Sequence, residues 1–186
     1  MTLFIVGLIG FLGIHAFAAF ARDARQALIG KIGEGPYKGL YSLAALAGFI
    51  LIIVGWRSAD ATVLYATPPY FRHVAYLLML IALILIAAAY APAGRIAAVV
   101  KHPMLAAIKV WALAHLLVNG EVRSVLLFGA FLVFAVADRI AVKRRNAPVR
   151  AAGPWRNDLI AIIVGAVAYA GIAFYLHRYI AGVALV

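Results

Sequence analysis

There is no cysteine in this chain, so it forms no disulfide and offers no thiolate for catalysis or metal binding, and the usual redox clue to compartment is missing. Charge is scarce as well: of 186 residues only 12% are charged, and only six are acidic. Soluble domains carry about 25% charged and about 45–50% apolar residues. Here 67% are hydrophobic, more than a small domain can hide, because small domains bury only part of their surface. Lipid is the solvent that accepts such a composition. A bilayer offers no water to free backbone groups, which leaves helices or a closed barrel. A barrel would show short segments of alternating apolar and polar residues, whereas this sequence has long unbroken apolar runs. Also missing is a basic stretch ahead of the first run, Leu3–Phe20, which contains His15; it reads as a retained helix rather than a cleaved signal. No internal repeat is visible, and residues 1–186 read as a single membrane domain.

Six runs approach the roughly 20 residues that a crossing needs: Leu3–Phe20, Leu40–Trp56, Val74–Tyr90, Pro103–Val118, Ser124–Ala141 and Leu159–Tyr179. The expected fold is therefore an all-α, polytopic membrane helix bundle of about six transmembrane helices. Pro103 suits the first turn of the fourth helix and Asn119-Gly120 its end, so the fourth and fifth helices should be antiparallel neighbours. The net charge of +11 is no nucleic-acid signal, because its basic residues fall in the connections. The first, third and fifth connections hold twelve of them and the opposite side only Arg57, Arg72, Arg123 and Arg178. That asymmetry puts both termini on the periplasmic side of a bacterial inner (cytoplasmic) membrane. Lys143–Arg145 would meet anionic lipid of the bilayer. Residues 61–70, with Val63-Leu64-Tyr65 and Pro68-Pro69, read as a short interfacial or re-entrant piece, and Ile96–Val100 as a stub on the inner surface.

Polar side chains within such runs are costly and hence candidates for function. His15 lies deep in the first run, and His115 and Lys109 lie within the fourth. A lone intramembrane histidine often only bonds a neighbouring helix. Two of them, in a chain read as having no intramembrane Asp or Glu, suit metal ligation better than a proton path. Haem iron held by axial histidine is the natural membrane case. His102 and His115 are 13 residues apart, about 20 Å of rise and roughly 140° around the helix, so they cannot share one iron. His115 shares its face with Trp111 and Asn119, a stripe that suits a cofactor: an imidazole, an aromatic wall and an amide able to orient a ring N–H or a propionate. Trp111 also fits ordinary packing. Lys109, on the face of His102, either snorkels or neutralises a propionate. Gly7, Phe11, His15, Ala18 and Ala19 form one side of the first helix. Counted from either surface, His15 and His115 lie at depths about 6 Å apart. Tyr37, Lys38, Gly39 and Tyr41, and Trp56 with Arg57, read as interfacial anchors.

Lys101-His102-Pro103-Met104, Trp111-Ala112-Leu113-Ala114-His115-Leu116 and Asn119-Gly120 resemble the NnrU family of bacterial membrane proteins. Leu127-Phe128-Gly129, Gly13-Ile14-His15, Tyr37-Lys38-Gly39-Leu40-Tyr41-Ser42 and Gly55-Trp56 extend the likeness over nearly the whole chain. The resemblance implies a role in denitrification, as a factor for nitrite and nitric oxide reductase. The family is also similar to zeta-carotene isomerase, a membrane enzyme that uses haem b. That likeness implies haem b between the first and fourth helices, with His15 and His115 as iron ligands. The isomerase has a cysteine one turn before the second histidine; here that position is Ala112, which removes thiolate ligation.

Three functions follow from this reading. The first is a haem-b protein with a redox, maturation or isomerase-like role toward a lipophilic polyene, working with membrane-bound reductases or electron-transfer proteins. The second is a cofactor-free assembly or scaffold factor for reductases. The third is a small anion transporter using Lys109 and Arg95; no paired Gly/Pro helix breaks support it.

Overall fold

The computed structural model describes residues 1–185. The chain is all-α, and among the described residues five helices are long and apolar enough to cross a membrane. Contacts gather into two compact units, residues 1–62 and the rest of the chain from Val63 on.

The first unit holds α1 (Thr2–Phe20), α2 (Arg22–Ile32) and α3 (Glu34–Trp56). Helices α1 and α3 pack as an antiparallel pair, brought close by glycine. A Cβ added at Gly7 would lie 2.6 Å from the Ile52 nitrogen, and one at Gly48 would lie 2.7 Å from the Phe11 nitrogen. At Gly55 it would run into Phe4. Lipid gives helices no hydrophobic drive to associate, so backbone approach through small residues replaces it. Ile9, Leu43 and Val54 point outward, each more than half exposed, as lipid-facing side chains do. The first connection is a helix rather than a plain loop. Its Arg, Ala, Gln and Leu residues favour that state, and Asp23 in the first turn and Lys31 in the last match the helix dipole. It buries no residue. Gly33, at φ 87°, turns the chain from α2 into α3.

The second unit holds α4 (Phe71–Tyr90), α5 (Arg95–Val100), α6 (Pro103–Leu116), α7 (Val122–Arg144) and α8 (Trp155–Gly171). α8 continues through a π-helical turn (Ile172–Leu176) into α9 (His177–Ala181). α4 lies against both α6 and α8, and α6 also packs on α7. Gly165 of α8 meets Ile84 of α4. Of the six expected spans, the fourth differs in length. α6 has 14 residues, about 21 Å of rise, against a hydrocarbon layer of about 30 Å. It stops at Leu116, two residues before the expected end.

Residues 63–65 form no helix. Val63 makes a β-bridge to Glu121, and Leu64 N–H donates to the Gly120 carbonyl at 2.7 Å. Gly120 abuts the Tyr65 carbonyl so closely that no side chain fits. At the opposite end of this unit, the α4–α5 turn is bracketed by side chains from beyond α7. The Arg150 guanidinium donates to the carbonyls of Ala88, Ala89 and Ala91, at 3.2, 3.1 and 2.6 Å, and so caps the end of α4. The Asp158 carboxylate accepts from Arg95 and Ile96 N–H at 3.0 and 2.9 Å and caps the start of α5. Asn157 donates to the Ala93 carbonyl at 2.8 Å. Between α5 and α6 the chain makes a γ-turn of the rarer, strained hand. Lys101 has φ 67°, and His102 N–H reaches the Val100 carbonyl at 2.8 Å.

Gly48→Leu should force α1 and α3 apart and lower the midpoint of thermal unfolding in detergent, whereas Gly13→Leu, where a Cβ meets nothing within 4 Å, should leave it unchanged. Lys101→Gly should raise stability by about 1 kcal/mol by relieving a positive φ, and Asp158→Ala should lower it by about 1 kcal/mol through loss of a cap, both read by denaturant or thermal unfolding.

Candidate functional site

The residues around His115 come from α6, α7 and residues 63–65. Trp111, His115 and Asn119 follow one another at intervals of four, and the helix brings them onto one side, as the spacing predicts. The ring centroids of Trp111 and His115 are 5.3 Å apart. The Trp111 carbonyl lies 2.8 Å from His115 Nδ1. A carbonyl only accepts, so Nδ1 carries the proton and Nε2 the lone pair. Asn119 is placed beside His115 but serves the backbone: its amide donates to the His115 carbonyl at 3.0 Å. The ring N–H is oriented by the Trp111 carbonyl instead.

α7 supplies the wall behind the imidazole. Phe128 stacks on it with centroids 4.3 Å apart and an interplanar angle of 20°. Phe128 and Phe131 also hold the Trp111 indole edge-on, at 4.9 and 5.3 Å. Ala107, Ala112 and Ala114 are fully buried, so α6 sits deep among its neighbours. Lys109 is not brought to this stripe: it lies six residues before His115, about 120° around the helix.

His15, in the first unit, has a setting of the same kind. Its Nδ1 lies 2.7 Å from the Phe11 carbonyl, so it too is protonated at Nδ1. The Phe11 ring lies 4.3 Å from the imidazole and Tyr41 meets it edge-on at 5.5 Å. Both histidines thus follow an aromatic residue by four positions, and in both that residue supplies a carbonyl to Nδ1 and a ring to the imidazole face. The repeated aromatic-x-x-x-His spacing was present in the sequence at Phe11–His15 and Trp111–His115.

Tyr65 is a participant that the sequence did not single out. Its hydroxyl donates to the Leu116 carbonyl in a very short hydrogen bond and lies 3.3 Å from the Asn119 carbonyl. It ties down the carbonyls on either side of the α6 end, one residue beyond His115. Burial raises its pKa, which keeps the hydroxyl a donor.

The remaining histidines have other surroundings. His102 is the N-cap of α6. Burial first, then the charges of Arg139 and Arg145, depress its pKa, while Asp138 opposes them. Contrary to the expectation of no intramembrane carboxylate, Asp138 lies inside the α7 span, and Arg145 pairs with it at 3.7 Å. His177 Nδ1 bonds the Val183 carbonyl at 2.8 Å, and His73 lies 6.4 Å from Tyr76. Among the described residues, no three or more His, Asp or Glu side chains gather as a metal cluster.

The chain matches no curated protein and no solved structure. One protein family matches it, described as NnrU protein, over residues 3–185 and therefore through both units. Five membrane-length apolar helices and a match that takes in nearly every residue make this chain a multi-pass membrane protein that belongs to the NnrU family.

Proposed function

We propose that this protein binds haem b in the bacterial inner membrane, with His15 and His115 as its iron-ligating imidazoles. On this reading it acts in redox or maturation steps that support nitrite and nitric oxide reductase. The observation that carries the reading is the hydrogen bond that the two histidines share, from Nδ1 to the carbonyl one turn earlier. Metal-binding histidine usually donates its second ring N–H to a carbonyl or carboxylate, which fixes the ring and raises ligand basicity. His15 and His115 both do so, through Nδ1 and the carbonyl one turn earlier. The donor set fits haem iron, which asks for one or two axial nitrogens rather than a cluster of three or more protein ligands. When bound, haem supplies a one-electron iron couple tuned by its axial ligands and their hydrogen bonds. The chain's own contribution is to hold each imidazole plane: Phe128 and Trp111 at His115, Phe11 and Tyr41 at His15.

Redox or maturation is favoured over an isomerase role akin to zeta-carotene isomerase. Ala112, one turn before the second histidine, is fully buried and carries only a methyl group, so no thiolate is at hand to exchange with an imidazole.

His115→Ala and His15→Ala should each abolish the Soret band of protein purified from haem-replete cells, and His102→Ala should leave it largely intact. A wild-type protein without a Soret band, or a band that needs His102 but not His115, would overturn the assignment. In a denitrifying host, the double His→Ala variant should lose the dependent reductase activity; full activity would favour a cofactor-free scaffold.

The proposed topology has α6 as a sixth, shortened crossing and both termini in the periplasm, on the strength of the basic residues in the first, third and fifth connections. A reporter that is active only in the cytoplasm should be silent when fused to the C-terminus. An active fusion would reverse the orientation.

A further inference from the structure

At the end of the first unit where α1, α2 and α3 meet, a cavity of about 280 Å³ opens between Ala18, Arg25, Tyr37, Lys38 and Tyr41. Its walls combine aromatic rings and a methyl group with two cations. Arg25 is held on the wall, its guanidinium carbon 5.6 Å from the centre of the Tyr37 ring. Lys38 is exposed and paired with Glu34 at 2.7 Å. Arg25 is the cation that faces the cavity from α2.

A second observation points to a ligand. Tyr37 is only 6% exposed, and its hydroxyl has no hydrogen-bond partner. The Nε of Arg25 is likewise covered and unbonded. Buried donors are nearly always satisfied in folded proteins. Here two donors on neighbouring helices are left over beside one cavity; the hydroxyl calls for an acceptor, and the guanidinium next to it favours one that carries negative charge. The apolar part of the wall narrows the choice. A free anion gains nothing from Ala18 and the tyrosine rings, whereas an amphiphile places a headgroup at Arg25 and Tyr37 and a chain along the helices.

We propose that this cavity holds the phosphate headgroup of an anionic membrane phospholipid, with Arg25 and Tyr37 Oη as its donors. The neighbouring segment fits this role. α2 carries Arg22, Arg25 and Lys31 and buries nothing of its own, as expected of a helix lying in the headgroup layer. The site is independent of haem binding, although Tyr41 touches both the cavity and His15.

The test is native mass spectrometry of the full chain, released from neutral detergent micelles supplemented with equal amounts of phosphatidylglycerol and phosphatidylcholine. Phosphatidylglycerol should be retained preferentially. Arg25→Gln should weaken retention about tenfold, the scale of one hydrogen bond to a charged group. Tyr37→Phe, which keeps the ring and its packing, should weaken it severalfold, while Lys31→Gln, away from the cavity, should not. Unchanged helicity by circular dichroism and an unchanged Soret band would separate these losses from misfolding and from haem loss. Equal retention of the two lipids, or unaltered phosphatidylglycerol binding in Tyr37→Phe and Arg25→Gln, would overturn the proposal. Displacement of phosphatidylglycerol by millimolar inorganic phosphate would also overturn it, by making the site one for a free anion.

Discussion

A peptide group in hydrocarbon has no water to turn to, and most of the polar chemistry in this protein answers that fact. Helices satisfy their own middles but leave carbonyls and N–H groups bare at their ends. The few polar side chains go to those ends. Arg150 covers the carbonyls that finish α4, and Asp158 covers the N–H groups that start α5. Tyr65 and Asn119 cover the carbonyls where the short α6 stops. The amino terminus donates to the Ser58 carbonyl at 3.0 Å in the same manner. With only six acidic residues, committing one to the turn before α5 marks how strict the requirement is.

The requirement also frames the two central histidines. Each imidazole sits in an apolar helix and donates from Nδ1 to a carbonyl of its own helix, which leaves Nε2 as the lone-pair atom of a neutral ring. A group arranged to avoid an unpaired N–H is thereby also arranged as a ligand. Aromatic neighbours then fix the ring plane through contact area, which needs no further hydrogen bonds. The Phe11 and Trp111 carbonyl contacts serve stability, and the ligation proposed above would use the same contacts.

Packing follows a complementary rule. Where helices press together, side chains are withdrawn: Gly7, Gly48 and Gly55 in the first unit, and Gly165 and the buried alanines of α6 in the second. Large apolar side chains such as Ile9, Leu43, Val133 and Val167 face outward, the reverse of a soluble protein. The cavity at Arg25 and Tyr37 departs from both rules. It lies at a helix junction, and Tyr37 Oη and Arg25 Nε beside it have no hydrogen-bond partner.

Composition and the length of apolar runs determined the class of this protein, its five long crossings and the face of α6 that carries Trp111, His115 and Asn119, because hydropathy and helical period are local properties. Family membership was also readable from the Lys-His-Pro and Trp-x-x-x-His stretches. The sequence did not reveal that the first connection is a helix, since its charged residues looked like those of any basic loop. Nor did it reveal Tyr65 as the clamp on α6 or Arg150 and Asp158 as caps. Those roles join residues 51 to 63 positions apart and depend on where the chain returns. The tautomers of His15 and His115 were likewise beyond sequence, because side-chain rotamer and neighbouring helices decide which nitrogen meets a carbonyl. What residues can do was written locally; which partner each one meets was set only when the helices packed and every stranded backbone group had to find an answer.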